Sequence, residues 1–155
     1  EAIGTQRRQQ LARALRGYNR TLAALEPTSG LSRHAVRPRR EIPALAMLTE
    51  RPEVIRARAV AVADAITSAT RVAVAIEACE ATVGGGAFPT ARIPSFAVTI
   101  ANDAPSLEAR LRHGALPVVG RIAEGRLWLD LRSVPPEDDA VLVQMLLGAL
   151  QQGAR

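Results

Sequence analysis

The sequence predicts an α+β fold, also describable as an α/β two-layer sandwich, in which helices pack on an antiparallel sheet. Three observations predict it. Residues 116–132 hold two short apolar runs, 118–122 and 127–131, flanking Glu124-Gly125, and glycine supplies the positive φ that a tight hairpin turn needs. Residues 71–80 alternate with the period of two that marks a strand. Between such stretches lie segments with prolines or capping residues at helix starts and apolar residues at helical spacing. Strands interleaved with helices in this way build two layers around one core.

In chain order, residues 1–16 begin polar and become amphipathic, with Leu11, Ala14 and Leu15 at helical spacing, and residues 21–26 continue in that style. One or two short helices are expected. Pro27, Ser29 and Gly30 interrupt them, and the basic stretch 33–40 with Pro38 reads as an exposed connector. The domain boundary therefore falls after residue 41, with a helical tail and linker in 1–41 and a compact domain in 42–155. Ile42-Pro43 opens the new segment. Pro52, followed by Glu53, starts a helix over 52–68 whose apolar side is lined by Val54, Ala57, Ala61, Val62, Ala65 and Ile66.

The strand 71–80 places Val72, Val74, Ile76 and Ala78 on one face. Gly84-Gly85-Gly86 and Pro89 mark a loop, and a second strand at 95–100 has Phe96, Val98 and Ile100 in phase. Ser106 is placed to cap a short helix over 107–113, with Gly114 stopping it in the left-handed conformation. In the hairpin that follows, Leu127, Leu129 and Leu131 form the apolar face, and Arg126, Trp128 and Asp130 the other. Pro135-Pro136-Glu137-Asp138-Asp139 then sets prolines and acids at a helix start, and 141–150 supplies an apolar helix face.

With 155 residues and 48% hydrophobic content the chain can bury one core. Its net charge of +5 arises from 20 basic residues, all arginine, against 15 acidic ones. That balance is compatible with a nucleic-acid partner, but the plainer reading of an Ala- and Arg-rich, lysine-free chain is codon bias. The absence of lysine has a chemical consequence: no Schiff base on a side-chain amine can form on this chain, because a guanidinium stays protonated. Cys79 is the single cysteine, so no internal disulfide forms, a cytoplasmic setting is favoured, and the residue reads as a small core side chain rather than a nucleophile. The most apolar stretches, 54–66 and 72–83, contain Arg58 and Asp64, and Glu77 and Glu80, so neither a signal peptide nor a membrane span is expected and the protein reads as soluble.

Several chemistry-bearing residues have a plainer reading. Gly84–Gly86 lacks Walker or dinucleotide spacing and reads as a turn. His34 and His113 have no metal-ligand spacing, so no metal is expected. Glu137, Asp138 and Asp139 read as helix-start acids. Trp128 either packs or stacks a base, and an aromatic content of 3% speaks against a stacking platform. Arg13 and Arg16, three apart on one helix face, either converge on an anion or are solvated.

The wording of the hairpin, Pro117, Val118, Gly120, Arg121, Ile122, then Gly125, Arg126, Leu127, Leu129, Asp130, Leu131 and Arg132, resembles the C-terminal end of bacterial selenocysteine synthases, the L-seryl-tRNA(Sec) selenium transferases. Arg13-Ala14-Leu15-Arg16, the 21–26 stretch, Ile42-Pro43 through Met47-Leu48-Thr49, Gly84–Gly86 and Leu111-Arg112 extend that resemblance along nearly the whole chain. It implies that the chain is the C-terminal portion of a pyridoxal-phosphate enzyme: the tail of the cofactor domain in 1–41, then the small C-terminal domain of the aspartate-aminotransferase fold type. The reaction implied is conversion of seryl-tRNA(Sec) to selenocysteyl-tRNA(Sec), with water lost from the seryl group and selenium delivered by selenophosphate. The partners implied are tRNA(Sec), selenophosphate and further copies of the enzyme in a homo-oligomer.

By the same resemblance Arg13 and Arg16 belong to the substrate anion site, where paired guanidiniums suit selenophosphate. Arg121 and Arg132 project from the hairpin, either toward the substrate cleft or into ion pairs with Asp130 or Glu124. The chain departs from the family after Arg16, where Gly17-Tyr18-Asn19 replaces a Val-Asp-Lys word, and at Pro27, Ser29 and Gly30, which interrupt a helix of the family. Lacking the Schiff-base lysine, the fragment is expected to hold no cofactor and to be inactive by itself, so enzyme status attaches to the parent. Two rivals are a pyridoxal-phosphate lyase acting on small sugar acids and a non-catalytic basic module for RNA binding or assembly.

Overall fold

A computed structural model describes residues 42–83 and 92–153. The helices expected within 1–26, the connector 33–40 and the Gly84–Gly86 loop lie outside the described residues. The chain divides into two units, Glu1–Leu45 and Ala46–Arg155.

Helix α1 spans Pro43–Thr49 and α2 spans Pro52–Ala69, with Pro52 in its first turn and Thr70 as its C-cap. Strands β1 (Val74–Thr82) and β2 (Arg92–Ile100) follow, then α3 (Ala104–Arg112), the hairpin β3 (Arg121–Ala123) and β4 (Arg126–Asp130), two 3-10 turns (Leu131–Ser133 and Pro136–Asp138), and α4 (Asp139–Gln152). The sheet runs β1-β2-β4-β3 with every neighbouring pair antiparallel. Strand β3 is therefore parallel to β2 with β4 inserted between them, a split βαβ crossover through α3. This is the antiparallel α+β architecture that the alternating patterns predict.

Rows of side chains across the sheet show where the core lies. Ile76, Val98 and Leu129 stand opposite one another in successive strands, as do Val74, Ile100, Leu127 and Ile122. Onto this face pack Ile55, Ala59, Val62 and Ile66 of α2 and Leu107 and Leu111 of α3, and Leu142, Leu146, Ala149 and Leu150 of α4 join the same cluster. Each fully buried Ile or Leu contributes on the order of 1.5–3 kcal/mol relative to exposure.

Four local expectations are corrected. The buried stripe of α2 is Ile55, Ala59, Val62, Ala63 and Ile66, whereas Ala57, Ala61 and Ala65 are exposed. In a helix rich in alanine on every side, the isoleucines choose the buried face, because burying a larger apolar surface gains more. Helix α3 begins at Ala104, with Asp103 in the left-handed region at φ 43° and Pro105 in the first turn, so Ser106 is not its cap. It ends at Arg112 with His113 as its C-cap, and Gly114 is not left-handed: its N–H donates to Leu111 O at 3.4 Å while Val118 N–H takes the same carbonyl at 3.0 Å. In β1, Val72, Val74 and Ile76 pack on the core but Ala78 is exposed, since the strand runs past the reach of the cluster.

Candidate functional site

The hairpin turn is as tight as Glu124-Gly125 requires: Glu124 has φ 53° and Gly125 φ 70°, positive values at both central residues that match the right-handed twist of the flanking strands. Alternation then points Leu127 and Leu129 into the core and Arg126, Trp128 and Asp130 to the opposite sheet face. Gly120 permits the close approach just before β3. A Cβ there would lie 2.6 Å from Leu127 Cδ1, 2.9 Å from Leu129 Cδ2 and 3.0 Å from Trp128 O.

On the face away from α2 and α3, Arg121 is opposite Trp128 and lays its guanidinium over the indole, 4.8 Å from the ring centre. The indole Nε1 donates to Ala123 O at 3.0 Å, so Trp128 is a packed residue with its polar edge satisfied. Arg126 pairs with Glu77 of β1 at 2.9 Å, a half-exposed contact that contributes about 1 kcal/mol at most. Ser95, in the central strand, is buried and donates to Asp130 Oδ1 at 2.5 Å; the same oxygen accepts the Arg132 N–H at 2.9 Å.

Cys79 faces Ser95 across the β1–β2 ladder. Burial, followed by the nearby Asp130 charge, pushes its thiol up to about 11, with Arg121 pulling the other way. At neutral pH it is a thiol, which does not suit a nucleophile, but the expected core role is corrected: Cys79 is only partly buried and stands on the sheet face away from Val74 and Ile76, outside the hydrophobic cluster.

The 3-10 turn after β4 breaks the alternation, so Leu131 and Arg132 are both buried. Arg132, only 5% exposed, therefore turns inward instead of projecting from the hairpin. Its Nη1 donates to Met47 O at 2.6 Å and to Glu50 O at 3.0 Å, its Nη2 donates to Pro94 O at 2.7 Å, and its buried Nε has no partner among the described residues. Among the described residues, neither Arg121 nor Arg132 pairs with Asp130 or Glu124.

A second arginine works from the other side of the same turn. Arg58 of α2 makes a two-pronged contact with Asp139, at 2.8 and 2.7 Å, and donates to Leu131 O at 3.2 Å and Val134 O at 2.8 Å. In the sequence Arg58 is only a charge interrupting an apolar run, and Ser95 only the start of a strand. Neither pattern carries a signal for a partner so distant in sequence.

Arg13, Arg16 and His34 lie outside the described residues. His113 is exposed at the end of α3, its Nδ1 2.8 Å from Ala109 O. Among the described residues no group of His, Cys, Asp and Glu could hold a metal ion, and no helix is long and apolar enough to cross a membrane. A groove of about 680 Å³ between the end of α3 and α4 is lined by Leu111, Leu116, Met145 and Ala149 together with Arg110 and His113, a mainly apolar set without a nucleophile. Pyridoxal phosphate does not fit this chain as a covalent cofactor, because no lysine amine is present to receive it.

Comparison with known proteins completes the description. A family profile described as L-seryl-tRNA selenium transferase matches residues 1–135. An L-seryl-tRNA(Sec) selenium transferase of Klebsiella pneumoniae is 40% identical over 144 residues, which cover 88% of this chain and 31% of that protein. One of Escherichia coli is 37% identical over 155 residues, covering 95% of this chain and 33% of that protein. The chain spans about a third of the length of these curated relatives.

Proposed function

The chain belongs to the L-seryl-tRNA selenium transferase family, and from that membership we propose that it is the C-terminal portion of a selenocysteine synthase. The observation that carries this reading is a family match over 1–135, joined to relatives of which the chain covers only a third. In the full-length enzyme, pyridoxal phosphate supplies the electron sink for loss of water from the seryl group, and it is bound through a lysine outside this sequence. Residues 1–41 are then the tail of the cofactor domain and 42–155 the small domain.

Within this chain, the proposed roles are binding and orientation. Arg13 and Arg16 hold the selenophosphate anion, for which two guanidiniums on one helix face are chemically suited. Arg121, exposed and stiffened by its stacking on Trp128, is the hairpin residue available to a substrate cleft. Arg132 is less suited to that role, since three of its donor contacts are taken by main-chain carbonyls. The enzyme is proposed to act on seryl-tRNA(Sec) in the cytoplasm, as a homo-oligomer.

The test is conversion of seryl-tRNA(Sec) with selenophosphate by the full-length protein, compared with this chain alone. Full-length protein should convert the substrate and show the absorbance of bound cofactor; the chain alone should do neither. Replacing Arg13 and Arg16 together by alanine should raise KM for selenophosphate about tenfold or more, the scale of losing charge-assisted hydrogen bonds. Turnover by the isolated chain, or none by the full-length protein, would sink the reading.

A further inference from the structure

Arg132 is a buried cation whose described partners are all carbonyl oxygens, drawn from two places far apart in sequence. Met47 O and Glu50 O lie at the end of α1 and just beyond it; Pro94 O belongs to β2. Helix ends leave carbonyls without intrahelical donors, and a guanidinium at a helix C-terminus answers both their hydrogen-bonding need and the negative end of the helix dipole. A planar fork with five donors is well suited to three such acceptors spread over two segments.

The same residue is fixed at its root. Its own N–H is held by Asp130 Oδ1, which Ser95 also bonds, and Ser133 Oγ closes the turn onto Asp130 O at 2.9 Å. The backbone from which the fork extends is therefore held in place by the turn. Burying a charge that has no carboxylate partner among the described residues, and leaving Nε unpartnered there as well, is an expensive way to fill space, and a well-packed apolar side chain would fill it more cheaply. A requirement other than packing is indicated.

Residues 47–50 stand at the start of the sheet-bearing unit, where the chain arrives from the part that holds Arg13 and Arg16. We infer that Arg132 is a positioning residue for selenium transfer: by clamping Met47 O and Glu50 O to the strand carbonyl of Pro94, it fixes the peptide that joins the upstream anion-binding segment to the small domain. It touches no substrate and acts through the placement of that junction. The inference rests on the selenium transferase reading.

The experiment uses the full-length enzyme with Arg132→Met, Arg132→Lys and, as a stability-matched control, Arg58→Met. Measured are kcat, KM for selenophosphate and for seryl-tRNA(Sec), thermal midpoint, and amide exchange across 47–51. Arg132→Met should lower kcat at least tenfold while either KM changes less than twofold, with faster exchange confined to 47–51. Arg132→Lys, which keeps the charge and a hydrogen-bond donor but not the planar fork, should recover part of kcat. Arg58→Met at a comparable loss of thermal midpoint should retain kcat.

Unchanged kcat in Arg132→Met, or an equal loss in Arg58→Met, overturns the inference. So does a rise in KM for selenophosphate with kcat intact, which would make Arg132 a binding residue. If Arg132→Met fails to fold, Arg132→Lys decides by the same kinetic split. If the unsubstituted enzyme performs no selenium transfer, the transferase reading fails, whereas exchange at 47–51 in the variants still reports whether the clamp holds that peptide.

Discussion

At the scale of single residues, Gly120 and Cys79 show two ways in which a small side chain is constrained. Gly120 is required by proximity: a methyl group would press on two buried leucine side chains and on the Trp128 carbonyl, which cannot move without disturbing the β4 ladder. Gly120→Ala is expected to destabilise the domain by about 1–3 kcal/mol, the usual cost of overpacking, measured by urea unfolding. Cys79 is constrained by its surroundings, where burial and the Asp130 carboxylate both disfavour the thiolate. Alkylation by iodoacetamide followed by mass spectrometry should be slow at pH 8 and accelerate only as pH climbs toward 11. The sign follows because a raised acid pKa keeps the proton on through neutral pH, and rapid labelling at pH 8 would contradict it.

At the scale of elements, α2 is the clearest case of a segment whose type is legible and whose orientation is not. Pro52, Glu53 and the run of helix-forming alanines announce a helix that the structure places at Pro52–Ala69. Alanine is compatible with either a buried or an exposed face, however, so the stripe 54-57-61-65 and the stripe 55-59-62-66 look alike until the sheet selects one. Ile55 is wholly buried, and Ile55→Ala should cost about 2–5 kcal/mol, whereas Ala61→Ser on the exposed side should change stability by about 0.5 kcal/mol or less. Equal effects in chemical denaturation would mean that the helix is rotated from the described position. The hairpin was more legible, because its period of two assigns faces unambiguously and Glu124-Gly125 fixes the register at one end. That legibility ends at Asp130, where the 3-10 turn puts Leu131 and Arg132 both inside.

At the scale of the described unit Ala46–Arg155, two arginines close the fold around the Leu131–Val134 turn. Arg58 binds α2 to the turn and to the start of α4, and Arg132 binds the turn to residues 47–50. Arg58→Met removes the partner of a mostly buried Asp139 and of two carbonyls, and is expected to cost about 3–5 kcal/mol. The double substitution Arg58→Met with Asp139→Leu should recover part of that, because the stranded carboxylate is gone; a double-mutant cycle of thermal unfolding checks it. Additive losses would mean that the two groups are not coupled.

Sequence by itself determined the α+β class, the order of the helices and strands from Pro52 onward, the hairpin and the family to which the chain belongs, but not the helix Pro43–Thr49. These are carried by neighbours: side-chain periodicity follows from backbone geometry within one element, and a family's wording is read residue by residue. Arg121 and Arg132, eleven positions apart in similar surroundings, looked equivalent at that level. Only the tertiary structure separated them, one stacked and exposed on Trp128, the other buried among carbonyls 38 to 85 positions away in the chain. Whether a guanidinium meets solvent or an unsatisfied helix end depends on what the fold brings to it, and no local pattern encodes that meeting.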